Sequence, residues 1–276
     1  MTTITDTAAT ASIDVAAREL RLPAIRGHAG RLAEEAKRAK ATYLGFLADT
    51  LCLEIDDRAE RRQARRIHEA RFPRLKRLAD FDLDAAPSIN PATIATLAAG
   101  GYLDNGEPVV LLGDSGTGKT HLLIGLGIAA CEQGRRVRYA TCAQLVNELV
   151  EAADERRLSR LVARYARLDL LCVDELGYVA LDGRGAELLF QVLTERDEKA
   201  SVAIASNLPF SEWGQVITDA RLVSAVIDRV TFHAHILETG TDSYRLRTSR
   251  TRQTKKAHRS TPSGAKTSEH GGANPG

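Results

Sequence analysis

The apolar run Val109-Val110-Leu111-Leu112 leads directly into Gly113-Asp114-Ser115-Gly116-Thr117-Gly118-Lys119-Thr120, and a proline-free stretch follows to Glu132 with Gly134 just beyond it. A buried strand, a glycine-rich turn and a helix in immediate succession restrict the chain to few folds. The octapeptide fits the pattern G-x-x-x-x-G-K-[ST], a loop that cradles phosphate. Gly113, Gly116 and Gly118 lack Cβ, so the backbone there can take positive φ and bring its amides close to oxygen ligands. The helix N-terminus adds its own free N–H groups and the positive end of its dipole at the same point. The whole segment Gly113–Thr120, with Asp114, Ser115 and Thr117 included, is expected to hold a nucleotide. Lys119 is expected on the β- and γ-phosphates and the Thr120 hydroxyl on Mg²⁺. The implied cofactors are a nucleoside triphosphate and Mg²⁺.

About fifty residues on, Leu168-Asp169-Leu170-Leu171-Cys172-Val173-Asp174-Glu175 reads as a buried strand ending in two carboxylates. Side chains alternate along a strand, so the two acids point different ways. Asp174 suits the Mg²⁺ hydration shell, and Glu175 suits a water poised to attack the γ-phosphate. A third apolar strand, Val202–Ser206, is followed by Asn207. As a residue type Asn207 reads as a turn asparagine. At a strand's carboxyl end it is also placed to bond the attacking water or the γ-phosphate. Arg221 and Arg229 lie two turns apart on one late helix. Either can be surface or core-edge salt bridging, or an arginine supplied across a subunit boundary, with Arg229 favoured.

The 276 residues allow one domain of about 150–200 residues plus a smaller element, and 43% hydrophobic with 27% charged content is that of a soluble globular protein. The longest apolar run, Leu122 to Cys131, falls short of the roughly 18 residues a membrane span needs. The start of the chain shows no basic segment leading into an apolar core, so no export signal is expected. Cys52, Cys131, Cys142 and Cys172 are widely spaced and fit a reduced, cytoplasmic protein without membrane association.

The net charge of +2 conceals a strong asymmetry. Arg58 to Arg77 holds nine Lys/Arg against two Glu, and Arg245 to Gly276 holds eight against one, so each stretch carries +7 and the remainder −12. Two basic stretches on an acidic body point to a polyanion, duplex DNA or RNA. Arg58, Arg61, Arg62, Arg65 and Arg66 share one helical face, which suits a row of phosphates.

Along the chain, residues 1–21 are rich in Thr and Ala and are expected to be disordered. Residues 22–80 read as a helical DNA-binding domain, with Tyr43, Leu44, Leu47 and Leu51 on one apolar face and a stop near Phe72-Pro73. Residues 80–91 read as a linker. Strand and helix then alternate through a domain spanning 81–247, the signature of a parallel sheet covered on both faces. Thr141-x-x-Gln144 is a capping box. His235–Thr239 and Ser243–Leu246 suggest a closing hairpin around Gly240. Residues 248–276 read as a disordered basic tail.

Taken together, these residues resemble the IstB-like helper ATPases of bacterial insertion sequences, a branch of the AAA+ proteins close to the DnaC helicase loaders. The resemblance rests on Gly113–Thr120, on Leu170 to Tyr178, on the specific string Ser206-Asn207-Leu208-Pro209-Phe210-Ser211-Glu212-Trp213, and on Asp228-Arg229-Val230 with Ser243-Tyr244-Arg245. With Phe72 to Lys76 and Phe81-Asp82 it covers roughly residues 22–247. It implies a sheet order 5-1-4-3-2, a sensor role for Asn207, and a helical N-terminal domain that binds DNA. It also implies ATP-dependent homo-oligomerisation on duplex DNA and stimulation of a cognate transposase. Asp114 stands where many relatives carry Pro, and the basic tail is not a core family feature. A replicative helicase loader shares the same core and is the alternative; a passive nucleotide-switched adaptor with negligible turnover is a third reading.

Overall fold

The computed structural model describes residues 6–241, 243 and 244. Three helices come first: α1 (Asp6–Glu19), α2 (Pro23–Arg38) and α3 (Tyr43–Ala70). Where disorder was expected over residues 1–21, the first of them forms a helix over Asp6–Glu19. Alanine, read there with threonine as a mark of disorder, has the highest intrinsic helix propensity. Asp6 in the first turn and Arg18 in the last complement the helix dipole. Asp14 then ties α1 to α2 through Arg26 at 2.6 Å.

The N-terminus of α2 has no side-chain cap of its own. The buried carboxylate of Glu54, from α3, takes that place and accepts the Ala24 and Ile25 N–H groups at 3.0 and 3.2 Å. Arg58 sits 3.0 Å from the same carboxylate and donates to the Arg21 carbonyl at 2.7 Å. A buried acid that satisfies two helix amides and one guanidinium fixes the angle between α2 and α3. The expected apolar face of α3 does not pack inward: Tyr43, Leu44, Leu47 and Leu51 are all exposed. The face turned toward α2 is the one bearing Thr50 and Glu54.

Arg71 closes α3 in the left-handed conformation, φ 58°. The expected linker then runs as a strap over the helix that follows the phosphate loop, α6 (Lys119–Glu132). Phe72 lies over Gly127, Leu78 over Gly125 and Phe81 over Gly118, each so close that a Cβ on the glycine would come within 2.7 Å of the covering side chain. Before α6 come α4 (Pro91–Ala98), α5 (Gly101–Asp104) and β1 (Val109–Leu112). After it follow β2 (Val137–Thr141), α7 (Cys142–Asp154), α8 (Leu158–Ala166), β3 (Leu170–Leu176), α9 (Gly183–Arg196), β4 (Ser201–Ser206), α10 (Ala220–Thr231) and β5 (His235–Glu238). The capping box opens α7, with Thr141 Oγ1 accepting the Gln144 N–H at 3.2 Å.

The five strands form one parallel sheet in the order β2-β3-β4-β1-β5, as the resemblance implied. Alternate residues feed two cores. Val110, Leu112, Leu171, Val173 and Ile204 face α7 to α10, while Val109, Leu111, Leu170, Cys172 and Ala203 face α6 and the end of α3. The hairpin expected around Gly240 is not formed. β5 pairs parallel with β1, Val109 opposite His235, and among the described residues of the second arm Ser243 and Tyr244 are not in a strand. The physical reason is that the chain leaving β5 is taken up by the phosphate loop, the Gly240 carbonyl accepting the Asp114 N–H and the Tyr244 N–H donating to the Gly116 carbonyl. The basic tail lies outside the described residues. Among the described residues no helix is long and apolar enough to cross a membrane.

Candidate nucleotide site

The carboxyl ends of β1, β3 and β4 meet at one edge, because Leu112 and Leu176 both stand opposite Ser206 in the register. There the phosphate loop turns through left-handed backbone at Gly116 (φ 87°) and Gly118 (φ 104°). Gly113 shares the positive φ, at 144°, and has a second reason to be glycine. Its Cβ would lie 2.4 Å from Thr239 Oγ1, because the segment leaving β5 crosses directly behind the loop. Thr239 is itself buried and contacts the Thr117 hydroxyl at 2.5 Å, while Asp114 N–H bonds the Gly240 carbonyl at 3.1 Å. The last described residue, Tyr244, donates its N–H to the Gly116 carbonyl at 3.1 Å. The loop is therefore held from beneath by the chain after β5.

Lys119 is 8% exposed, and its ammonium turns back into the loop, donating to the Gly113 and Asp114 carbonyls at 2.6 and 2.8 Å. A buried ammonium inside a ring of amides marks where anionic oxygen belongs. Thr120 is half-buried at the second position of α6, beside it. Ser115, at the loop's tip, accepts the Tyr178 hydroxyl at 3.0 Å, which links the loop to the turn after β3.

β3 breaks register with β4 between Val173 and Leu176, and Glu175 takes φ 61°. A bulge of this kind re-aims side chains at a strand's end, and a non-glycine residue in left-handed backbone is held there against a cost of order 1–3 kcal/mol. The consequence is visible in burial: Asp174 is 3% exposed while Glu175 stands in solvent at the sheet edge. Asp174 is tightly bonded, Oδ1 accepting the Glu175 N–H at 2.8 Å and Oδ2 the Tyr139 hydroxyl at 2.7 Å. Asn207 faces the Gly177 turn, and its Oδ1 is buried with no hydrogen-bond partner. A buried acceptor without a partner at the carboxyl end of β4 is an unsatisfied polar group, of the kind that calls for a donor the protein itself does not supply.

These features fit a nucleotide with Mg²⁺: a glycine cradle, a buried ammonium, a hydroxyl and a carboxylate of the oxygen type magnesium prefers, and an unpaired amide oxygen. Thr120 and Asp174 are the groups that would hold the ion. The structure thus brings the loop, Asp174, Glu175 and Asn207 to one edge.

The two arginines of α10 lie apart from each other. Arg221 is exposed at the start of α10, near the same edge, where Asp219 caps the helix. Arg229 sits eight residues on, about 12 Å along the helix axis toward the opposite edge. There it faces Asp197 at 3.6 Å, and its guanidinium lies 4.5 Å above the Phe190 ring. On α3, Arg58, Arg61 and Arg65 are paired with Glu54, Asp57 and Glu69 one turn away. Arg62 and Arg66 have no carboxylate within ion-pair distance among the described residues. Sequence reasoning missed Tyr139 and Thr239, because a tyrosine in a strand and a threonine after one carry no motif.

Residues 15–252 match the family described as IstB-like ATP binding protein. The insertion sequence IS21 ATP-binding protein of Pseudomonas aeruginosa is 34% identical over 238 residues, covering 86% of this chain and 90% of that relative. An insertion sequence ATP-binding protein of Sinorhizobium fredii is 35% identical over 253 residues, 91% of this chain and 84% of that one. Among solved structures, AMPPCP-bound DnaA from Aquifex aeolicus superposes with a TM-score of 0.53 at 20% identity, over 67% of this chain and 56% of that one. That likeness is one of fold, the AAA+ phosphate-loop sheet. With the loop, the paired acids and the family match over most of its length, the chain belongs to the IstB-like ATP binding proteins.

Proposed function

We propose that this protein is an ATPase that assembles on duplex DNA and stimulates a partner transposase during insertion-sequence transposition. The observation that carries the reading is the convergence at one sheet edge of the phosphate loop, buried Asp174, exposed Glu175 on its bulge and the unpaired Asn207 oxygen. In this reading Lys119 and the loop amides bind the triphosphate, and Thr120 and Asp174 hold Mg²⁺. When bound, the ion would neutralise phosphate charge as it develops. Glu175 accepts a proton from the attacking water, which Asn207 Oδ1 orients. An arginine of α10 from a neighbouring subunit stabilises the transition-state charge. Arg229 remains the favoured one, released from Asp197 and Phe190 when subunits meet.

The names of the relatives, all ATP-binding proteins of insertion sequences, support the transposition setting over a replicative loader. The row of α3 arginines supports a phosphate-backbone contact, which should weaken steeply with salt. Hydrolysis then serves as a timer that loosens an ATP-bridged assembly.

The test is sedimentation of the purified chain with duplex DNA, with and without ATP, alongside measured turnover. ATP should drive assembly. Glu175→Gln should retain ATP binding and assembly but lose about 100-fold or more in turnover. Turnover unchanged in Glu175→Gln would remove Glu175 from the role of base, and absence of ATP-driven assembly on duplex would overturn the helper reading.

A further inference from the structure

Asp174 is a metal-binding carboxylate only if its oxygens face the right way, and no part of the phosphate loop sets that orientation. A neighbouring strand does. β2 and β3 pair with Tyr139 opposite Cys172 and Thr141 opposite Asp174. Residues two apart share a face, so Tyr139 points to the same side as Asp174. Its hydroxyl donates to Asp174 Oδ2 at 2.7 Å while the Glu175 N–H holds Oδ1 at 2.8 Å. Both side chains are buried, Tyr139 at 7% and Asp174 at 3% exposure. A carboxylate pinned at both oxygens cannot rotate, and each oxygen keeps one lone pair for a further partner.

The tyrosine ring is backed in turn by Phe72, with centroids 6.1 Å apart and planes at 58°. Phe72 is the second residue after α3, beyond the left-handed Arg71. It is seated so closely on α6 that a Cβ at Gly127 would lie 2.7 Å from its ring. A continuous path of contacts therefore leads from the end of the basic helix, through Phe72 and Tyr139, to the carboxylate.

We propose that Tyr139 is a positioning residue for the metal-binding carboxylate of Asp174, and that Phe72 couples this setting to the end of α3. The proposal rests on the nucleotide-site reading above. Oriented hydrogen-bond partners behind a metal ligand raise its affinity for the ion. A shift of the end of α3, as when its arginines engage phosphates, would move Phe72 against the tyrosine ring and alter the grip on Mg²⁺. Coupling of this kind needs a contiguous packed route, which these three side chains supply.

The experiment is a Mg²⁺ titration of fluorescent-ATP binding by the full chain, read without turnover, for wild type, Tyr139→Phe and Phe72→Leu, with and without duplex DNA. Tyr139→Phe should raise the half-saturating Mg²⁺ concentration about tenfold and leave nucleotide binding in EDTA unchanged. Phe72→Leu keeps the hydroxyl in place and should abolish the shift in Mg²⁺ requirement that duplex causes in wild type. Wild-type Mg²⁺ dependence in Tyr139→Phe, or an equal loss of binding in EDTA, would overturn the positioning role. A duplex-induced shift that persists in Phe72→Leu, or that is absent from wild type, would overturn the coupling. Absence of any Mg²⁺-dependent nucleotide binding in wild type would instead sink the site reading beneath both.

Discussion

Helices α6 and α3 begin from similar sequence signals, rows of leucine and isoleucine at helical spacing, and end in opposite surroundings. In α6 nearly every residue from Leu122 to Cys131 is buried. In α3 only Thr50, Glu54 and Ala70 are, and Leu44, Leu47, Leu51 and Ile55 are 79, 52, 49 and 61% exposed. Apolar periodicity describes a helix face; burial needs a second surface to meet it. α6 has two such surfaces, the sheet beneath and the Phe72–Phe81 strap above, admitted by Gly125 and Gly127. α3 has α2 on one side, joined through the buried Glu54 cap, and its apolar row continues along the same helical face into exposed Arg62 and half-buried Arg66.

Four variants test this contrast, the largest effect first. Leu122→Ala in α6, at 0% exposure, should cost about 2–5 kcal/mol in denaturant unfolding. A loss well under 1 kcal/mol would mean that the α6 side of the core is loosely packed. Gly127→Ala should cost about 1–3 kcal/mol, because the new methyl meets Phe72 and the strap must move. If its unfolding midpoint matched wild type, the strap would not be seated as described. Replacing Arg62 and Arg66 together by Ala should leave stability within about 0.5 kcal/mol. It should also lower the slope of log affinity for duplex against log salt by about 1 per arginine; an unchanged slope would detach these residues from DNA. Leu51→Ala should be the mildest, under about 0.5 kcal/mol, since half of the side chain is already in water. A loss of 2 kcal/mol there would show that something covers the row in solution.

The pairing of Arg58, Arg61 and Arg65 with carboxylates one turn away refines the basic-helix reading. Exposed pairs of this type contribute only a few tenths of a kcal/mol, so they do not prevent those arginines from turning to phosphate. Arg58 differs, because it also neutralises the buried Glu54 and bonds the Arg21 carbonyl. Its removal would loosen the α2–α3 junction as well as any phosphate contact.

Much of the nucleotide-binding core was legible before folding. The strand–loop–helix unit, the second acidic strand and the third strand ending at Asn207 are local patterns, set by side-chain alternation, by glycine's freedom at positive φ and by helix capping within a few residues. The sheet order came from resemblance, since no local rule states which strand lies beside which. α1 was missed because an alanine-rich stretch satisfies both the helix and the disorder reading, and only its ion pair with α2 separates them.

By itself, then, the sequence determined the chemistry on offer: a phosphate cradle, two acids, an amide and a row of arginines, each residue type carrying its donors, charge and reach wherever it lies. Tertiary structure alone decided which of these groups meet. It brought Tyr139 onto Asp174 across 35 positions of chain, Thr239 behind Gly113 across more than a hundred, and Phe72 between the basic helix and the strand that carries Asp174. Such contacts depend on strand register and helix packing, which are properties of the whole core.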